Sequence, residues 1–128
     1  MKKLRIGDGE STLEAREGHV LVTEHRDVKT PEHMRRWLEE IDRFASSHGL
    51  DKVIFDARYD TSETLPEVRE ARWAHTDAAP VLKHIAVVIP TEMAATRLNM
   101  TVLARKSAAR LRAFTEIEPA AAWLRSRR

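Results

Sequence analysis

The chain has 128 residues, of which 42% are hydrophobic and 33% charged, with a net charge of +2 and no cysteine. That composition suits one soluble globular domain, spanning 1–128, with enough residues to bury a core. It excludes disulfides, thiolate metal sites and cysteine nucleophiles, gives no electrostatic reason for a nucleic-acid partner, and holds no apolar run near the roughly 18 residues of a membrane span.

The opening MKKLRIGDGES has no apolar stretch behind its lysines, so it does not read as a secretory signal, and cytoplasm is the default compartment. Residues 3–6 are a short strand candidate at most. Residues 12–16 and 19–25 alternate apolar and polar around Glu17-Gly18, the pattern of a hairpin. Thr30 and Pro31 then open a helix as N-cap and first residue. Met34, Trp37, Leu38, Ile41, Phe44 and Ala45 form one apolar stripe along it, and Gly49 stops it. KVIFD, 52–56, reads as a strand buried on both faces.

Pro66 begins a weaker helix, 66–79, whose expected inner face is thin: Val68, Ala71, Ala74 and Ala78. HIAVVI, 84–89, is a second buried strand closed by Pro90. Thr91 caps a helix expected to run to about Ser107. Residues 110–115 alternate as a last strand, and Pro119 is expected to start a terminal helix holding Trp123 and Leu124. The order is β-β-α-β-α-β-α-β-α, an α/β domain with a mixed, partly parallel sheet and helices packed against it.

Charge is unevenly spread. Residues 1–64 carry 11 basic and 14 acidic groups, and residues 65–128 carry 11 basic and 6 acidic groups. The basic C-terminal half is compatible with phosphate groups or peripheral contact with an anionic membrane, and equally with a solvated face.

Four candidate sites follow. Asp56 ends a buried parallel strand, where α/β folds place ligands; its ordinary role is to accept loop N–H bonds or pair with Arg58. A receiver-type phospho-acceptor also occupies such a strand end. It needs an acidic pair a full β-α unit earlier and a lysine after the last strand, whereas one helix separates Glu24 from Asp56 and Thr115-Glu116 follow the last strand. The hydroxyls Thr61, Ser62 and Thr64 precede a helix, where a phosphate is stabilised by free N–H groups and the helix dipole; Ser62 or Thr64 can equally serve as a plain cap. The thin helix 66–79 leaves room for an apolar pocket lined by Trp73, Met93, Leu98 and Met100, with ordinary core packing as the alternative. Six histidines are scattered without a metal motif; His19 and His25, six apart on one strand, would stand about 20 Å from each other. No G-x-S-x-G, Walker loop or dinucleotide fingerprint occurs, and no cofactor is indicated.

The segments EGHVLVTE (17–24), TPEHM (30–34), DKVIFDAR (51–58) and RAFTEIEPAAAWL (112–124) resemble a STAS domain, most closely its SpoIIAA-like branch, over residues 12–126. The resemblance implies an α/β sandwich of mixed sheet and helices, no enzyme activity, and a binding or regulatory role toward an unidentified protein partner or small nonpolar ligand. Anti-sigma-factor antagonists of this class carry a phosphorylatable serine in a D-S-S-G-like motif after the third strand. Here that place reads DARYDTSET, without the glycine, leaving Ser62 or Thr61 as the candidate switch. The SpoIIAA-like branch also resembles CRAL-TRIO lipid-transfer proteins in architecture, which implies a nonpolar ligand and approach to membranes.

Overall fold

The computed structural model describes residues 1–6, 9–25, 28, 30–60 and 65–127. Six strands and four helices follow in the order β1 (Lys2–Ile6), β2 (Gly9–Arg16), β3 (His19–Thr23), α1 (Pro31–Ser47), β4 (Lys52–Asp56), α2 (Pro66–Ala78), β5 (His84–Val88), α3 (Glu92–Val102), β6 (Leu111–Phe114) and α4 (Ile117–Arg125). The fold is α/β, with one strand more than the sequence pattern suggested. β1 carries only Leu4 and Ile6 at period two behind two lysines, a faint signal until β2 pairs with it.

The strands stand in chain order, β1 to β6. β1, β2 and β3 form an antiparallel meander; β3 to β6 are parallel. Each parallel connection steps one strand in the same direction, so right-handed crossovers put α1, α2 and α3 on one face. The apolar runs divide between the faces with period two. Val20, Val22, Val53, Phe55, Ile85 and Val87 pack under α1–α3, while Leu21, Ile54, Ala86 and Val88 pack under α4 with Ala120, Ala121 and Leu124. On the α4 side, no residue of β1 or β2 joins that core, and ion pairs Lys3–Glu10, Arg5–Glu10 and Arg16–Glu14 lie along those two strands.

α1 matches its sequence signals at both ends. Thr30 Oγ1 accepts from His33 N at 3.1 Å. At the other end Gly49 takes φ +65°, Gly49 N donates to Ser46 O and Leu50 N donates to Ala45 O at 2.9 Å, a Schellman closure that needs a left-handed residue. α3 stops at Val102 instead of continuing to Ser107. Leu103 points outward, 76% exposed, so no apolar stripe continues. The chain takes successive tight turns that carry Arg105 and Arg110 back toward α2. α4 begins at Ile117, two residues before Pro119, with Glu116 as its N-cap.

The expected inner face of α2 is corrected. Val68 and Ala71 do pack against the core, but Ala74 and Ala78 are exposed, and Arg72, His75 and Thr76 share the inward side. Alanine spacing suggested a weak apolar contact, but polar groups face inward: Arg72 and His75 meet Glu24 and Asp42 from elsewhere in the fold, and the Thr76 hydroxyl donates to Arg72 O of its own helix. Leu65 is the N-cap of α2 and makes no side-chain capping bond; Ser62 and Thr64, the expected caps, lie outside the described residues.

β6 is an edge strand with a built-in guard. Asn99 of α3 accepts from Ala113 N at 2.7 Å and donates through Nδ2 to Ala113 O at 3.2 Å. One side-chain amide thus satisfies a donor and an acceptor that an incoming strand would use. Asn99→Ala is expected to cost about 1–2 kcal/mol, the net of two hydrogen bonds. It should also promote self-association, read by sedimentation velocity; a variant as stable and monomeric as the parent would count against the guard.

Candidate functional site

α2 packs chiefly on α1, and α3 chiefly on β6. Between the two helices, over β5, lies a cleft of about 270 Å³. Its apolar surface comes from Trp73, Val87, Ile89, Leu98 and Leu111. Glu24, Arg72 and Thr76 supply the polar side, with Arg69 and Ala57 completing it.

Glu24 is positioned by backbone. Its N–H donates to Asp56 O at 2.9 Å, extending the parallel β3–β4 ladder past Thr23, and Ala57 N does the same to Val88 O. The cleft therefore reaches the carboxyl ends of the parallel strands, where backbone groups leave the sheet and α/β folds have room for ligands. Glu24 is fully buried, and Arg72 reaches it with both terminal nitrogens, at 2.9 and 3.1 Å. The same guanidinium lies 4.7 Å from the Phe55 ring centre and 5.2 Å from that of Trp37. Bidentate bonding and two aromatic faces leave Arg72 little rotational freedom. One turn on, His75 Nε2 lies 2.8 Å from Asp42 Oδ2 of α1.

The far wall is held from the α3–β6 connection. Arg105 donates to Asp77 Oδ2 at 2.7 Å and lies 5.0 Å over the Trp73 ring, and Arg110 donates to Thr76 O at 3.1 Å. Trp73 is thus half-buried, braced by Arg105 and part of the cleft lining. The arrangement offers an apolar slot beside a pre-paired Glu24–Arg72 ion pair, with the exposed Arg69 adding a positive charge at the rim. That suits a compact uncharged or weakly polar guest better than a strongly ionic one, because the buried charges already satisfy each other.

Of the four expected pocket residues, Trp73 and Leu98 line this cleft. Met93 and Met100 do not: they are 71% and 68% exposed on the outer side of α3. Helical spacing places Leu98 inward, and residues five before and two after it fall on the opposite side. Asp56 is buried and holds Arg58, accepting from Nε at 2.9 Å, from Nη2 at 3.0 Å and from the Arg58 backbone N–H at 3.2 Å. This pairing closes the β4 end as a local turn and raises the Arg58 pKa further above its ordinary value. Thr61, Ser62 and Thr64 lie outside the described residues. Among the described residues, no group of three or more histidine, aspartate or glutamate side chains comes together as a metal site. No helix described is long and apolar enough to cross a membrane.

Sequence reasoning passed over Glu24, Arg72 and Thr76. Their one signal was a charged residue on the Val68-Arg72-Thr76 line of a helix facing the sheet. The partner of Arg72 lies 48 residues earlier, so the pair is invisible to local spacing.

No family model matches the chain, and no curated protein or solved structure matches it.

Proposed function

We propose that this chain is a non-enzymatic, cytoplasmic binding module of the STAS/SpoIIAA-like kind, and that it holds a small nonpolar molecule in the cleft between α2 and α3. The observation that carries the reading is the apolar slot formed by Trp73, Val87, Ile89, Leu98 and Leu111 beside the neutralised Glu24–Arg72 pair. The mixed sheet with helices against it is the architecture the resemblance leads one to expect, and the motifs quoted above support it further.

The volume narrows the guest. About 270 Å³ equals roughly nine water-sized groups at ~30 Å³ each. That is just below the roughly 300–1,000 Å³ range of ligand sites, so a long acyl chain is too large to be enclosed and a compact ring system fits.

Native mass spectrometry of protein purified from its own host, beside a denatured control, tests this. The expected result is a small extra mass released on denaturation. Leu98→Trp, which fills the slot, should abolish that mass while leaving the melting curve intact. Cyclohexanol serves as a probe for the empty protein: it should shift the methyl resonances of Val87 and Ile89 in the parent and not in Leu98→Trp. A clean apo mass together with unmoved methyls would rule the reading out.

A further inference from the structure

A second and larger concavity, about 500 Å³, opens at the opposite end of the sheet. It lies between the β2–β3 turn and α4, at the amino ends of β3 and β4. Four basic side chains line it from four separate segments: Arg16 at the end of β2, His19 at the start of β3, Lys52 at the start of β4 and Arg125 in the last turn of α4. Glu17 of the turn and Glu118 of α4 also line it. We propose that this pocket binds an oxyanion of the phosphate class, held by Arg16, His19 and Arg125.

The role of Lys52 separates structure from recognition. Its Nζ donates to Leu124 O at 3.0 Å and also to Arg127 O, so it caps the carboxyl end of α4. A cation there has a structural reason, satisfying last-turn carbonyls and the negative helix end. Arg125 is exposed on that same last turn. Arg16 shares one contact with Glu14, 3.1 Å from Nη2, and both side chains are nearly half exposed. That leaves further guanidinium N–H groups for a second acceptor.

Two imidazoles report the local field. His19 is held below the ordinary imidazole range by burial, and then by the charges of Arg16 and Arg125; its bond with the Glu17 backbone opposes them. His84, paired in register with Lys52 on the next strand, is likewise held down by burial and then by Lys52, with Arg127 and Arg110 adding and Asp51 opposing. Beyond burial, cations of four segments therefore act on this end of the molecule, despite the nearby carboxylates. An anion in the pocket relieves that repulsion and meets two guanidiniums whose planar forks match phosphate oxygens. It also favours the His19 imidazolium. Binding and protonation are then linked: affinity rises as pH falls through the His19 titration, and bound anion raises the His19 pKa.

Histidine ring resonances across a pH titration test the proposal, with inorganic phosphate against chloride at matched ionic strength. Phosphate should raise the His19 pKa and leave the His48 ring signals, at the end of α1, unmoved. Arg16→Ala combined with Arg125→Ala should abolish the response with an unchanged melting temperature; Arg16→Lys with Arg125→Lys restores part of it and guards against a misfolded variant. A second arm uses vesicles of phosphatidic acid against phosphatidylcholine. Binding to the former alone, lost in the double alanine variant, assigns the oxyanion to a lipid headgroup instead of a free phosphate. Equal effects of chloride and phosphate, equal effects on His19 and His48, or silence in both arms would overturn the proposal.

Discussion

Arg72→Met is expected to lower the unfolding free energy by about 3 kcal/mol, because it strips a fully buried carboxylate of its bidentate partner. The size follows from an asymmetry. Glu24 has already left water, and its desolvation cost is recovered through the guanidinium; removing one partner leaves the cost with less of the return. Replacing both partners removes cost and return together, so Glu24→Gln with Arg72→Met should be less damaging than the two single effects added. Urea unfolding at neutral pH, run as a double-mutant cycle, gives the coupling directly. A single-variant loss under about 1 kcal/mol would mean that water or another group reaches Glu24 readily, contrary to the burial described here. The same change should loosen α2, since Arg72 is the tie between this helix and the end of β3. Faster amide exchange confined to α2, beyond the global loss, is the corresponding local signature.

Trp37→Ala is the second large effect, expected at about 3–5 kcal/mol for a buried indole. Trp37 is 1% exposed, tilts against Phe55 at 5.7 Å and donates from Nε1 to Ser11 Oγ at 3.1 Å. The variant opens a cavity beneath α1 and takes from the buried Ser11 hydroxyl the donor it accepts from. It also removes one of the two aromatic faces on which Arg72 rests, so Trp37→Ala and Arg72→Met should combine to less than their sum. Full additivity in chemical unfolding would show that the indole and the Glu24–Arg72 pair are energetically separate, against the contact geometry. Trp37→Phe keeps most of the apolar volume and should fall well short of the alanine loss, which separates the cavity from the hydrogen bond.

How far the sequence could be read depended on whether a signal was local. α1 was legible because everything that specifies it lies within residues 30–49: a capping threonine, a proline at the first position, a stripe at three- and four-residue steps, and a glycine whose φ of +65° closes the end. β4 and β5 were legible for the same reason, as apolar runs bounded by polar residues. β1 was legible only as a short candidate at 3–6, because two apolar residues among lysine and arginine say little until a neighbour pairs with them. In α2 the expected face was right at Val68 and Ala71, but Ala74 and Ala78 are exposed and Arg72, His75 and Thr76 turn inward beside them. A charged residue on a helix reads as solvent-facing unless its partner is known, and the partners here are Glu24 and Asp42 on other elements.

The same division governs the two pockets. Trp73 falls off the apolar stripe expected for its helix yet lines the cleft with Leu98, while Met93 and Met100 looked equally apolar and point outward. Hydrophobicity alone does not state which side of α3 meets the sheet; the crossover from β5 to β6 does. At the other end, nothing local joins Arg16, His19 and Arg125. They converge because the hairpin turn and the last turn of α4 reach the same edge of the sheet. Helices, strands and their order follow from short-range sterics, capping and periodic burial, which are written in consecutive residues. The buried ion pair, the cleft and the basic pocket follow from which faces are brought together by the strand order, and that is a property of the whole sheet.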